Sequence, residues 1–211
     1  NQFLQTAIDS AKLTLPYLIK QDEADSNYKT LITPWQSVGA KGVTTLASKL
    51  MLALLPPQTS FFKLQIDEST ILSGELDPAI RSDLDVSFAK IERTILESIA
   101  ASDDRVVIHQ ALKHLVVSGN ALIYMDKEKL KLYPLNRYVV ERDGLGNVIE
   151  IVTKEKIHKS IVKRLIKDID DDAVNDVEDS STGYSREDVD VYTIVKRDNN
   201  RYVWHQEVYN K

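Results

Sequence analysis

The chain has 211 residues, 43% of them hydrophobic, with 27 Lys and Arg against 32 Asp and Glu, a net charge of −5. That balance and the pI of about 5.4 exclude a basic, phosphate-neutralising surface over most of the molecule, though not a local basic patch. The absence of cysteine excludes disulfides, thiolate metal sites and cysteine nucleophiles.

No apolar run reaches membrane-spanning length, since Lys49 interrupts the best candidate, and no signal peptide is visible. The chain opens at Asn1 and ends at Lys211 just after a strand-like run, which reads as a piece of a longer protein. In chain order, Gln2 to Ile19 predicts a helix that Pro16 ends or kinks, and Asp22 to Asn27 is a polar connector. Thr33 to Pro57 predicts a second helix. Thr33 is its cap, Pro34 its first helical position and Gln36 the return partner of a capping box. Gly39, Ala40 and Gly42 are followed by an apolar block from Leu50 to Leu55, which must be buried or packed against another copy. Leu46, Leu50 and Leu54 are its expected core residues.

Phe62 to Ile66 alternates and predicts a strand. Asp77-Pro78 opens a long amphipathic helix whose stripe is Ile80, Leu84, Phe88, Ile91, Ile95 and Ile99. After Ser102-Asp103-Asp104 comes a helix with Val107, Ala111, Leu115 and Val116 facing inward, ended by a left-handed Gly119. Strands follow at Ala121–Met125, Lys129–Leu135, Tyr138–Arg142 and Val148–Thr153, the last two joined by the loop Asp143-Gly144-Leu145-Gly146-Asn147. Lys154 to Ile169 predicts a basic helix with Ile157, Ile161, Leu165 and Ile169 on one side. Asp168 to Asp179 carries seven carboxylates and no basic residue, a composition that buries little and repels itself. Val189–Val195 and Arg201–Val208 flank a hairpin at Asp198-Asn199-Asn200. The outline is α+β: a mainly helical portion over 1–120, and an antiparallel β meander over 121–211 interrupted by the basic helix (154–169) and an acidic flexible loop (170–188).

Motifs that carry chemistry are mostly absent from the sequence. Gly144-Leu145-Gly146 lies between two strands, so it is a turn rather than a phosphate cradle. No GxxxxGK[ST] or GxSxG occurs. His109 and His114 stand five apart on a helix and diverge, and His158 and His205 are isolated, so all four read as surface or half-buried side chains rather than metal ligands. Asp168, Asp170, Asp172 and Asp179 imitate a calcium loop, but Ala173 stands where the sharp turn needs glycine. Lys154, Lys156, Lys159, Lys163, Arg164 and Lys167 form the one candidate DNA-facing set, but a solvated helix face, with the adjacent carboxylates able to neutralise it, is the default reading. Trp35, Tyr133, Tyr138 and Trp204 do not alternate with it, so no stacking platform emerges. The expected catalytic, cofactor-binding and metal residues are therefore none, and DNA-binding residues are not identified.

Three longer blocks carry more information. Thr33-Pro34-Trp35-Gln36-Ser37-Val38-Gly39-Ala40 with Leu46-Ala47-Ser48-Lys49-Leu50-Met51-Leu52-Ala53-Leu54 is the first, and Ala111 to Tyr124 (ALKHLVVSGNALIY) the second. Leu132-Tyr133-Pro134-Leu135, Tyr138 to Asp143 and Gly146-Asn147-Val148 make the third, with a weaker echo at Val189 to Thr193. In this order they closely resemble the N-terminal part of head-to-tail connector (portal) proteins of short-tailed bacteriophages. The resemblance implies a ring, usually of twelve copies, at one capsid vertex. Such a ring nucleates head assembly, docks the terminase, capsid or scaffold and tail proteins, and passes double-stranded DNA without sequence-specific contacts. It implies no catalysis, no cofactor and no membrane, and a location in the virion after assembly in the host cytoplasm. The matched part implies the outer wing of the ring. The alternatives are a carboxylate-rich, metal-dependent enzyme domain and an unrelated adaptor domain.

Overall fold

A computed structural model describes residues 2–19, 33–57, 59–66, 78–126, 129–158, 161–162, 188–199 and 201–209. The chain divides into two compact units, Asn1–Leu132 and Tyr133–Lys211, so the first unit also holds strand β1 and most of β2. The architecture is α+β.

In the first unit, helices α1 (Gln2–Leu13), α2 (Val38–Leu54), α3 (Pro78–Ala101) and α4 (Asp104–Ser118) precede the short hairpin of β1 (Leu122–Met125) and β2 (Leu130–Tyr133). Pro16 ends α1 as expected, and a single 3₁₀ turn, Pro16–Leu18, follows it. Helix α2 begins later than its capping signal. Ser37 occupies the N-cap without a side-chain bond, and Thr33 to Gln36 remain outside the helix. The new start lies beside the end of α1, and Gly39 makes the approach possible: a Cβ there would stand 2.9 Å from the Leu13 carbonyl oxygen and 3.1 Å from Thr14 Cγ2. A Gly39→Val substitution should therefore destabilise the helical unit by about 1–3 kcal/mol through overpacking. A denaturant midpoint at or above that of the parent would show that α1 yields without cost.

Helix α4 packs on both α1 and α2. Its contact with α2 is built on Ala47, Met51 and Leu112, flanked by Leu50, Leu55 and Ile108. Ala47 is 0% exposed, because a methyl group lets the two helices come close. Arg105 Nη2 donates to the Leu55 carbonyl at 2.7 Å, satisfying one of the acceptors that a helix C-terminus leaves open. The buried stripe of α2 is thus Val43, Ala47 and Met51, while Leu46 and Leu54 face outward. The expected leucine core is corrected by this rotation: many faces of α2 are apolar, and the small residue at 47 decides which one docks. On α4 the buried residues are Ala111, Leu112, His114 and Ser118, and Leu115 is exposed. Gly119 ends the helix at φ 73° as expected, its N–H bonding to the Leu115 carbonyl at 2.9 Å.

Helix α3 buries only part of its stripe. Leu84, Phe88 and Ile99 are half-buried, whereas Ile80, Ile91 and Ile95 are exposed, correcting the expectation that the row is enclosed. Residues 61–66 join no strand ladder, correcting the predicted strand. The Leu64 N–H instead donates to Glu92 Oε1 on α3 at 2.6 Å, so a helix side chain takes the place of the predicted strand partner.

The second unit is a four-stranded antiparallel meander, β3 (Tyr138–Arg142), β4 (Val148–His158), β5 (Asp188–Asp198) and β6 (Arg201–Tyr209), with spatial order equal to chain order. The β3–β4 loop closes on Asp143. Its carboxylate accepts from the Leu145 and Asn147 N–H groups at 2.9 and 2.7 Å and from Asn147 Nδ2 at 2.8 Å. Gly146 supplies the positive φ of 89° that the turn needs. A two-residue turn joins β5 to β6, with Asn199 left-handed at φ 52°. The core of this unit is Val162, Val189 and Val191, with Ile157 and Val208 against them.

The expected helix from Lys154 is corrected over its first turn. Lys154 to His158 continue β4 and pair with Tyr192 to Asp188 on β5. The isoleucine spacing mimicked a helix, but alternation puts Glu155 and Ile157 on one face and Lys154 and Lys156 on the other. A nine-pair ladder with β5 then outweighs the local helical pattern. Residues 161–162 are helical, but Val162 is buried and Ile161 exposed, correcting the side expected to face inward, and Asp188, expected in the acidic loop, opens β5. Residues 159–160 and 163–187, which hold most of the rest of that helix and of the acidic loop, lie outside the described residues, as does the connector at 22–27.

Candidate assembly surface

The residues singled out for chemistry do not converge. His109 Nε2 lies 3.3 Å from Ser48 Oγ across the α2–α4 contact, and His205 Nε2 lies 3.3 Å from Glu207 Oε1 on an exposed strand. His158 is exposed at the end of β4. His114 departs from expectation: it is only 7% exposed, and its Nδ1 has no hydrogen-bond partner among the described residues. The described residues hold no group of three or more His, Asp or Glu arranged for a metal ion. The aspartates of the calcium-like segment are outside them.

Burial holds the His114 ring below its ordinary pKa, and burial followed by the Lys113 charge does the same for His109. The sign follows from proton uptake. As pH falls through the ordinary histidine range near about 6.5, the unfolded chain binds the proton first. Stability is whole above that range and is lost as pH falls below it, down to the folded-state pKa. Melting temperature should therefore fall from pH 7.5 to pH 5.5, and His114→Asn should flatten the fall. An unchanged slope in that variant would remove His114 from the account.

Of the basic set, Lys154 is tied down. Its Nζ lies 2.8 Å from Asp190 Oδ2 and 5.5 Å from the centre of the Tyr192 ring. The hydrogen bond to Asp190 raises its pKa, so it is a charge already answered inside the sheet. Lys159, Lys163, Arg164 and Lys167 are outside the described residues. No helix among the described residues is long and apolar enough to cross a membrane.

What the structure does present is exposed apolar surface. In the helical unit it includes Leu46, Leu52 and Leu54 on α2, Ile80, Ile91 and Ile95 on α3, and Ile123, Tyr124 and Met125 on β1, with Trp35 fully exposed. In the sheet unit, Leu145 in the β3–β4 loop and Ile161 are exposed, and the rest lies at the two edges. Val139 on β3 is 71% exposed, and Tyr202, Val203 and Trp204 on β6 are 63%, 51% and 66% exposed. Tyr138, by contrast, is half-buried, and burial raises its pKa. Sequence reasoning overlooked this edge surface, although one signal was present. Tyr202-Val203-Trp204 breaks the alternation of a half-buried strand, and three large apolar side chains in succession cannot share one face.

A family model described as bacteriophage head to tail connecting protein matches residues 1–210. This chain belongs to that family. Among its relatives, the portal protein of Enterobacteria phage T3 is 42% identical over 156 residues, covering 72% of this chain and 29% of the relative. The portal protein of Escherichia phage T7 is 41% identical over 159 residues, with the same coverage. That of Pseudomonas phage phiKMV is 29% identical over 210 residues, covering 98% of this chain and 40% of the relative. The connector chain thus spans about three tenths of the length of the first two. The similarity to phiKMV spans the residues of both compact units.

Proposed function

We propose that this chain is the wing portion of a portal: a subunit of a closed ring, twelve copies round, at one vertex of a tailed-phage capsid. The observation that carries the reading is the family match over residues 1–210, joined by relatives named as portal proteins. In this role the ring binds capsid or scaffold, terminase and tail, and gives DNA a passage without base-specific contacts. It works in the virion and assembles in the host cytoplasm. An overall acidic chain suits a conduit, because a passage that held phosphates tightly would retard the DNA. The role asks for no catalytic group; the exposed apolar rows on α2, α3, β3 and β6 supply what an assembling subunit needs.

Light scattering on the full-length protein tests the reading. Identical head-to-tail contacts close only when the rotation between subunits divides the circle, so the expected mass is an integral multiple of the subunit near twelve. The 211-residue chain alone should associate more weakly. A full-length protein that stays monomeric at every concentration would overturn the assignment.

A further inference from the structure

We propose that neighbouring subunits join through their sheets, β6 of one copy pairing antiparallel with β3 of the next in a single register. The proposal rests on the ring reading and names its contact in the sheet unit.

The sheet has four antiparallel strands in chain order, so its two edges, β3 and β6, run in opposite directions. Copies stepped around a ring in the same orientation therefore offer each other antiparallel edges. Among the described residues neither edge has a further strand beside it.

The backbone is also in phase. In an antiparallel ladder each residue sends its N–H and C=O to the same side. Asp198 and Arg201 flank a two-residue turn, so they form a bonded pair. Arg201 and Val203 then bond to β5, and Tyr202 and Trp204 turn their N–H and C=O outward. Carried across the registers of β5 and β4, the same alternation turns Tyr138 and Val140 outward on β3. Setting Tyr138 opposite Trp204 and Val140 opposite Tyr202 joins outward-facing groups to outward-facing groups.

The side chains agree with that register. It sets Val139 against Val203 and Glu141 against Arg201. Tyr138 lies in one cross-strand row with Thr153, Thr193 and Gln206, the face that Trp204 also occupies, so each pair stays on one face of the combined sheet. Aromatic, aliphatic and opposite-charge pairs are the favourable cross-strand combinations. Glu141 and Arg201 are exposed, and neither has an ion-pair partner among the described residues. A shift of two residues takes Glu141 to Val203 or past the start of β6, and a shift of one breaks both the phase and the faces. The occupant this edge fits is a second copy of the chain.

Cysteine pairs test the register. These 211 residues contain no cysteine, and the unsubstituted full-length protein is the control for any elsewhere. Within one subunit Val139 and Val203 are three strand spacings apart, about 14 Å, beyond the roughly 7 Å between Cα atoms that a disulfide can bridge. A bond between them must link two subunits. Oxidised rings carrying Val139→Cys with Val203→Cys should run as a ladder of covalent multimers on non-reducing gels. An equimolar mixture of the two single variants should give dimers and nothing larger. In parallel, Glu141→Arg and Arg201→Glu should each reduce the assembled fraction, and the two together should restore it. Rings that form normally, resist cross-linking and ignore charge reversal would overturn this pairing and leave the ring reading standing. Self-linking by Val203→Cys alone would also overturn it, by showing two-fold contacts. A full-length protein that never leaves the monomer would remove the ring and the pairing together.

Discussion

Replacing Leu112 with alanine should lower the stability of the helical unit by about 2–5 kcal/mol. Leu112 is buried on α4 where that helix meets Ala47 and Met51 of α2. The loss has two parts: the transfer free energy of the deleted methyl groups and the cavity they leave. Collapse of that cavity is limited, because Ala47 across the contact has no side-chain length with which to follow. The helices are also held by the Arg105 bond to the Leu55 carbonyl and the Ser48–His109 contact. Chemical denaturation followed by helical circular dichroism measures the effect. A loss below about 1 kcal/mol would place the core elsewhere. Phe88→Ala on α3 is the contrasting case: a half-buried ring should lose less than the roughly 3–5 kcal/mol of an enclosed one.

A carboxylate at Val191 should be more damaging still to the sheet unit. Val191 is 1% exposed in the cluster with Val162 and Val189. Val191→Asp would bury a charge without a partner, directly opposite Glu155 on β4. Glu155 is already engaged as the acceptor of the Tyr133 hydroxyl, and like charges directly opposite repel. The expected cost is about 3–5 kcal/mol, comparable to breaking a buried ion pair, against about 1–3 kcal/mol for Val191→Ala, which only loses buried apolar surface. The aspartate should be tolerated better in acid, where it is protonated. A variant as stable as the parent at pH 7, by urea titration, would show that the sheet core is open to water.

The proposed edge pairing bears on how β6 is built. A long exposed edge strand with apolar side chains invites uncontrolled pairing unless it is blunted or used. In β6 the blunting is slight: Arg201, His205 and Glu207 intersperse the aromatic residues, yet no proline or bulge interrupts it. A protein that uses this edge in assembly has reason to keep it so. The bulge between Glu141 and Arg142 limits the opposite edge to four well-ordered positions, 138 to 141, the same four that the proposed register employs.

Much of this organisation was legible in the residues. Asp77-Pro78 announced α3, Gly119 ended α4, and Asp143 to Asn147 and Asp198 to Asn200 marked both hairpins, because caps and tight turns depend on neighbours within a few residues. The exact blocks from Thr33 to Leu54 and from Ala111 to Tyr124 carried the family. The sequence determined these features because their physics is local, or because a long ordered match is specific. The tertiary structure alone decided which side of an all-round apolar helix is buried, choosing Val43, Ala47 and Met51 over Leu46 and Leu54. It also turned Lys154 to His158 into strand, through a ladder to β5 whose nearest paired residue, Asp188, lies thirty positions along the chain. And it set β3 and β6 at opposite edges, where Glu141 and Arg201 stand exposed. Each of these depends on contacts between residues far apart in the chain, whose strength no short window of sequence contains.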